Sequence, residues 1–176
     1  MAVGEQSAPQ RKAMQRRGVQ LETIFSLSSL LIMPFWLLMI ALPHWRWTSR
    51  LMRSPLVCAA PALLYLALAL PRFGELLAAL ARPTLPGIAA VLGTPAGATL
   101  AWAHFLAFDL FVGRWMYLDS RERGISAWIM APLLFFTLML GPIGFLGYLV
   151  VRAIASARKP RATAAHEQSH TSKALM

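Results

Sequence analysis

Residues 22–42 read ETIFSLSSLLIMPFWLLMIAL, an apolar run with a single acid at its start. About 20 such residues in a helix are as long as the hydrocarbon core of a bilayer is thick. Three more apolar stretches follow, at about 55–70, 98–118 and 126–151. The chain is 57% hydrophobic and only 14% charged, whereas about 25% charged residues is usual for a soluble domain. The sequence therefore predicts an all-α integral membrane protein, a bundle of four transmembrane helices packed in lipid.

Prolines divide this plan. Pro34 lies inside span 1 and predicts a kink, and Pro61 interrupts the short span 2. Residues 71–97 hold Pro71, Pro83, Pro86 and Pro95 among several glycines. They read as an interfacial segment between spans 2 and 3, with a short helix around FGELLAAL. The folded part is expected over residues 21–152. Residues 1–20 form a basic tail and 153–176 a polar one, both expected to be disordered. Span 1 ends in LPHWRW rather than a small-residue cleavage site, which argues against a cleaved signal peptide.

A formal net charge of +10 would suggest nucleic acid in a soluble protein. Here the basic residues gather in tails and short loops, where they meet lipid headgroups, so membrane lipid is the expected partner and nucleic acid is not. Four spans would put both tails and residues 71–97 on one side, with eleven Lys and Arg. Arg46, Arg50, Arg53, Arg121 and Arg123 lie opposite. The positive-inside rule then predicts both termini in the cytoplasm. Cys58 alone excludes an intrachain disulfide and a multi-cysteine metal site. The four histidines are scattered, with His166 and His170 in the tail, which excludes a histidine-rich di-iron oxygenase. No phosphate-binding loop, dinucleotide motif or nucleophile elbow occurs, so neither metal nor cofactor is expected.

Span 3 carries the chemistry. It holds His104, Asp109, Arg114 and, at its end, Asp119. At about 100° per residue these groups point in different directions, so span 3 must be surrounded by other helices. Arg114 and Asp119 lie near the span end, within reach of headgroups. His104 and Asp109 lie deeper. A charged Asp near mid-membrane costs roughly 2.5–3.5 kcal/mol. Two accounts stay open for it: an ion pair with an arginine of another span, or a functional site shared with His104. Trp45, Trp47, Trp115, Tyr117 and Trp128 fall at span ends. They read either as an interfacial belt or as the mouth for an apolar, partly oxygenated ligand. In span 4, GPIGFLG places Gly141, Gly144 and Gly147 three apart around Pro142. This predicts a groove against span 3, with Gly113 opposite, where alanine at Gly144 is accepted and leucine is not.

Three stretches together, ETIFSLSSLLIMPFWLLMIALPHWRWTSRL, HFLAFDLFVGRWMYLDSRERG and LMLGPIGFLGYLVVR, carry a resemblance. Over about residues 21–152 the chain resembles a family of small four-span membrane proteins. That family includes the plant abscisic-acid-deficient protein needed to make neoxanthin. HFLAFDLFVGR followed by GPIG is the most specific part. The resemblance to bacterial members implies the bacterial inner membrane. It also implies a carotenoid or other apolar terpenoid as ligand and a redox-neutral isomerisation of the violaxanthin-to-neoxanthin kind. That step needs an acid at an epoxide oxygen and a base at carbon. His104 and Asp109 are the candidate pair, with Arg114 to hold an oxyanion or orient Asp109. Trp102, Tyr117, Gly141 and Gly144 are the candidate substrate-binding positions. A non-enzymatic lipid- or pigment-binding scaffold stays open as the alternative, as does a homo-oligomer.

Overall fold

The computed structural model describes residues 8–158, and among them every regular element is helical. The helices are α1 (Ala8–Ala41), α2 (Arg46–Arg53), α3 (Ala59–Ala69), α4 (Phe73–Ala81), α5 (Leu85–Leu92), α6 (Pro95–Arg123), α7 (Ala127–Leu140) and α8 (Pro142–Arg158). Three segments, Ala8–Ala41, Pro55–Ala81 and Pro95–Arg123, are long and apolar enough to cross a membrane; α7 and α8 are apolar but shorter.

The helix boundaries depart from expectation in four places. The first is the basic tail, which is helical from Ala8. Its Ala, Gln, Arg, Lys and Met residues are good helix formers. Pro9 stands in the first turn, where its missing N–H costs nothing. The remainder of both tails lies outside the described residues. Secondly, span 2 does not stop near residue 70. A short 3-10 turn, Leu70–Arg72, takes up Pro71, and the chain runs on into α4. FGELLAAL is thus the continuation of span 2. Between it and α6 stands α5, capped by Thr84, whose Oγ1 accepts from the Gly87 N–H at 3.2 Å. Thirdly, the first basic loop contains α2, which buries Thr48 and Met52 on one side and leaves Arg46, Trp47 and Arg50 exposed. That is the pattern of a short helix lying in an interface.

The fourth difference changes the topology. The stretch 126–151 is not one span but two helices folded back on each other. α7 ends at Gly141, whose φ of 46° is open to glycine and strained for other residues, and α8 starts at Pro142, which cannot continue α7. Gly144 packs on Thr137 and on the Leu133 carbonyl, and Gly147 on the Leu133 side chain. Ile129 shares a cavity with Val151 and Ile154. These pairings run in opposite directions along the chain, so the hairpin is antiparallel. α8 therefore returns to the α6–α7 turn. The basic count that set the C-terminal tail opposite Arg121 and Arg123 assumed a single fourth span and no longer applies.

The chain divides into two compact units. One takes the chain up to Phe35 together with Ser54–Leu110; the other takes Trp36–Arg53 and the chain from Phe111 onward. In the first, Ile32, Val57, Leu100, Ala103, Leu106 and Leu110 are buried. Its buried hydroxyls are satisfied within their own helices: Ser28 donates to the Phe25 carbonyl at 2.6 Å and Thr99 to that of Pro95 at 2.8 Å. In the second unit, Trp36, Met39, Met52, Met116, Tyr117, Leu134 and Tyr148 are buried. Gly113 lies against Trp36, where a Cβ would come within 2.5 Å of the indole ring. The partner of Gly113 is thus α1 and that of Gly144 is α7, rather than each other.

Candidate functional site

In the first unit, α6 carries His104 and Asp109. His104 is half-buried and held by rings: it stacks on Phe108 with centroids 4.7 Å apart and meets Tyr65 of α3 edge-on at 5.3 Å. Nearby on the same helix, Trp102 stacks on Phe25 of α1 at 5.2 Å, and its Nε1 donates to Ser29 Oγ at 3.0 Å. The other part of its indole remains exposed.

Asp109 is half-buried. Its helical neighbours at three and four residues are Phe105, Leu106, Val112 and Gly113, none with a polar side chain. Among the described residues Asp109 makes no ion pair, since the ion pairs there join Arg72 to Glu75 and Arg123 and Arg152 to Asp119. The arginine partner that a structural account of Asp109 needs is absent from the described residues. No hydrogen bond joins His104 to Asp109 either. They share a helix and a unit, five residues and about 140° apart.

The second unit assigns structural work to four of the residues expected in the site. Arg114 Nη2 donates to the Arg53 carbonyl at 3.1 Å and so caps the end of α2. Tyr117 is buried, and its hydroxyl donates to the Pro43 carbonyl at 2.7 Å. A phenol has one proton, so Ser49 Oγ, 3.0 Å away, is the donor in the bond between those two hydroxyls. Tyr117 thus braces α6 against the α1–α2 connection. Gly141 makes the hairpin turn and Gly144 its tight crossing. Neither Tyr117 nor the two glycines are free to meet a substrate. The belt is likewise divided: Trp45, Trp47 and Trp128 are exposed, whereas Trp115 turns inward.

Sequence reasoning missed the densest polar cluster. Asp119 of α6 receives three bonds on Oδ2: from Arg123 Nε at 2.7 Å, from Arg152 Nε at 3.0 Å, and from the Tyr148 hydroxyl. Arg152 also lies over the Trp115 ring, 5.5 Å from its centroid, and Arg123 donates to Ser156 Oγ at 2.8 Å. A carboxylate so surrounded is a poor base, and its role is to hold α8 on α6. The signal was present: Asp119 and Arg123 are four apart, as are Tyr148 and Arg152, so each pair shares a helix face. Asp119→Asn should destabilise the protein by about 1.5–3 kcal/mol, the range for hydrogen bonds to charged groups. Tyr148→Phe should cost about 1 kcal/mol. Thermal unfolding in detergent measures both.

Two comparisons bear on kinship. The ABA DEFICIENT 4-like family profile matches residues 23–148. Protein ABA DEFICIENT 4, chloroplastic, from Arabidopsis thaliana is 28% identical over 138 residues, which covers 75% of this chain and 61% of the plant protein. The chain thus spans less than two thirds of that relative's length. No solved structure matches. The matched segment takes in α6 with His104 and Asp109, and the α7–α8 hairpin up to Tyr148. On that match, the chain belongs to the ABA DEFICIENT 4-like family.

Proposed function

We propose that this membrane protein is a redox-neutral isomerase of a carotenoid or related terpenoid, with Asp109 as its proton-transfer group. The observation that carries the reading is a half-buried carboxylate, in a helix long and apolar enough to cross a membrane, that has no ion-pair or hydrogen-bond partner among the described residues. Such a group costs roughly 2.5–3.5 kcal/mol to insert when charged, and no cation among the described residues of its unit offsets that cost. In the proposed step Asp109 takes a proton from a polyene carbon. The freed electron pair forms the new double bond of an allene, the adjacent epoxide C–O bond breaks, and His104 protonates the leaving oxygen to a hydroxyl. Substrate and product then have equal mass, and no oxidant or reductant is consumed. The aromatic cluster of His104, Phe108 and Tyr65, with the partly exposed Trp102, offers apolar ring surface to a polyene. We leave Arg114, Tyr117, Gly141 and Gly144 out of this site: Arg114 Nη2 bonds the Arg53 carbonyl, the Tyr117 hydroxyl bonds the Pro43 carbonyl, and the two glycines are buried at the hairpin.

One observation favours a second reading, a pigment- or lipid-binding protein without catalysis. The His104 ring is packed among other rings and makes no hydrogen bond to Asp109. Expression in a host that accumulates epoxy-carotenoids separates the two. A new pigment of unchanged mass supports the isomerase. Co-purification of unaltered pigment with no product supports the binding protein.

For orientation we take the end bearing Arg46, Arg50, Arg53, Arg121, Arg123, Arg152 and Arg158 as cytoplasmic, by the positive-inside rule. The bond from Arg152 to Asp119 supports grouping Arg152 with the arginines near the end of α6.

A further inference from the structure

Two cavities adjoin at the turn between α6 and α7, and both lie within the second unit. One, of about 450 Å³, is lined by His44, Arg121, Ser126 and Trp128. The other, of about 310 Å³, is lined by Ile40, Ala41, Pro43 and Ala131. His44, Ala127 and Trp128 line both. The first mixes polar and apolar lining and carries a cation, and the second is mainly apolar.

Arg121 sets the chemistry of the polar end. Its Nη1 lies 3.2 Å from His44 Nε2. A guanidinium only donates, so Nε2 accepts and the imidazole proton sits on Nδ1. Among the described residues no carboxylate pairs with Arg121. The exposed guanidinium therefore keeps donors to spare, and His44 and the Ser126 hydroxyl line the same cavity. Such a set suits a phosphate oxygen. The exposed Trp128 indole, at the head of a helix in a membrane protein, marks headgroup depth.

We infer that this paired cavity binds one anionic phospholipid, with its phosphate at Arg121, His44 and Ser126 and the start of an acyl chain along Ile40, Pro43 and Ala131. The site shares no residue with the surroundings of Asp109 and does not depend on whether the protein converts pigment. Charge complementarity at one end and apolar lining at the other select an anionic amphiphile over a zwitterionic lipid or a free phosphate.

Thermal unfolding of the purified protein in a neutral detergent tests the site. The additives are dioleoyl-phosphatidylglycerol, dioleoyl-phosphatidylcholine and glycerol 3-phosphate. Phosphatidylglycerol should raise the melting temperature at concentrations where the other two do not. Arg121→Gln should weaken that response by roughly tenfold or more, as expected for losing a charge-assisted bond. Ala131→Phe, which fills the apolar cavity, should also weaken it. Arg121 is exposed, so the lipid-free melting temperature of Arg121→Gln should match the wild type. Equal stabilisation by phosphatidylcholine would overturn the inference. So would equal stabilisation by glycerol 3-phosphate, or an unchanged phosphatidylglycerol response in both variants.

Discussion

Gly144→Ala lowers the melting temperature in detergent far more than Gly147→Ala does. Both glycines face α7, but what a new methyl group would meet differs. At Gly144 it runs into the backbone nitrogen and hydroxyl of Thr137 and lies 2.6 Å from the Leu133 carbonyl oxygen. Backbone in a helix cannot step aside without moving the whole helix. At Gly147 the contact is Leu133 Cδ2 at 2.9 Å, the tip of a side chain that can change rotamer. Overpacking typically costs 1–3 kcal/mol. Gly144→Ala should reach the upper end of that range and Gly147→Ala fall below it. A sequence reading that expects alanine to be accepted at Gly144 pictures an open groove against span 3. The structure puts a neighbouring backbone there instead. Similar melting temperatures for the two variants would mean that α7 and α8 do not cross at Gly144.

A reporter fused directly after Arg158 reads out on the same side of the membrane as one inserted at Gly124. The 14 residues of α7 reach about 21 Å at about 1.5 Å per residue, short of a hydrocarbon core of roughly 30 Å. α8 then runs back, and its Arg152 and Ser156 meet Asp119 and Arg123 near the end of α6. On this geometry the pair is expected to enter and leave by one face, as a re-entrant hairpin. Its backbone is satisfied within the two helices except at the turn, where irregular backbone must be buried in protein, and Gly141 is buried. Cysteine labelling with a membrane-impermeant reagent gives the same readout without a bulky fusion. Opposite sides for the two positions would restore a single fourth span.

Three of the four expected spans were legible as helices long and apolar enough to cross, because length and apolarity are properties of the sequence alone. The hairpin was not. An unbroken apolar run from 126 to 151 looks the same whether Gly141-Pro142 bends a helix or reverses it, and the difference lies in one glycine φ. α2 was hidden for another reason: its inward side is only Thr48 and Met52, too few to show as a periodic pattern. His104 and Asp109 stood out as ionisable groups in an apolar helix, and what surrounds them sharpened the choice between accounts of Asp109. Arg114 and Tyr117 carried the same signal, but Arg114 Nη2 bonds the Arg53 carbonyl, although its buried Nε has no partner, and Tyr117 is satisfied by the Pro43 carbonyl and Ser49, partners more than 60 residues away in sequence. Asp119 was read as a span-end residue meeting headgroups because its partners on α8 become neighbours only when the hairpin closes.

Asp109 is where the account is most exposed. In membranes of a host that accumulates epoxy-carotenoids, wild-type protein, Asp109→Asn and Asp119→Asn are produced at matched levels, and pigments are resolved by chromatography and mass. The account predicts a product of unchanged mass from the wild type and none from Asp109→Asn, which keeps a wild-type melting temperature because no ion pair is lost. Asp119→Asn should melt earlier yet still form product in proportion to the folded protein that remains. Product formation by Asp109→Asn at the wild-type rate would contradict the assignment of Asp109 as the proton-transfer group.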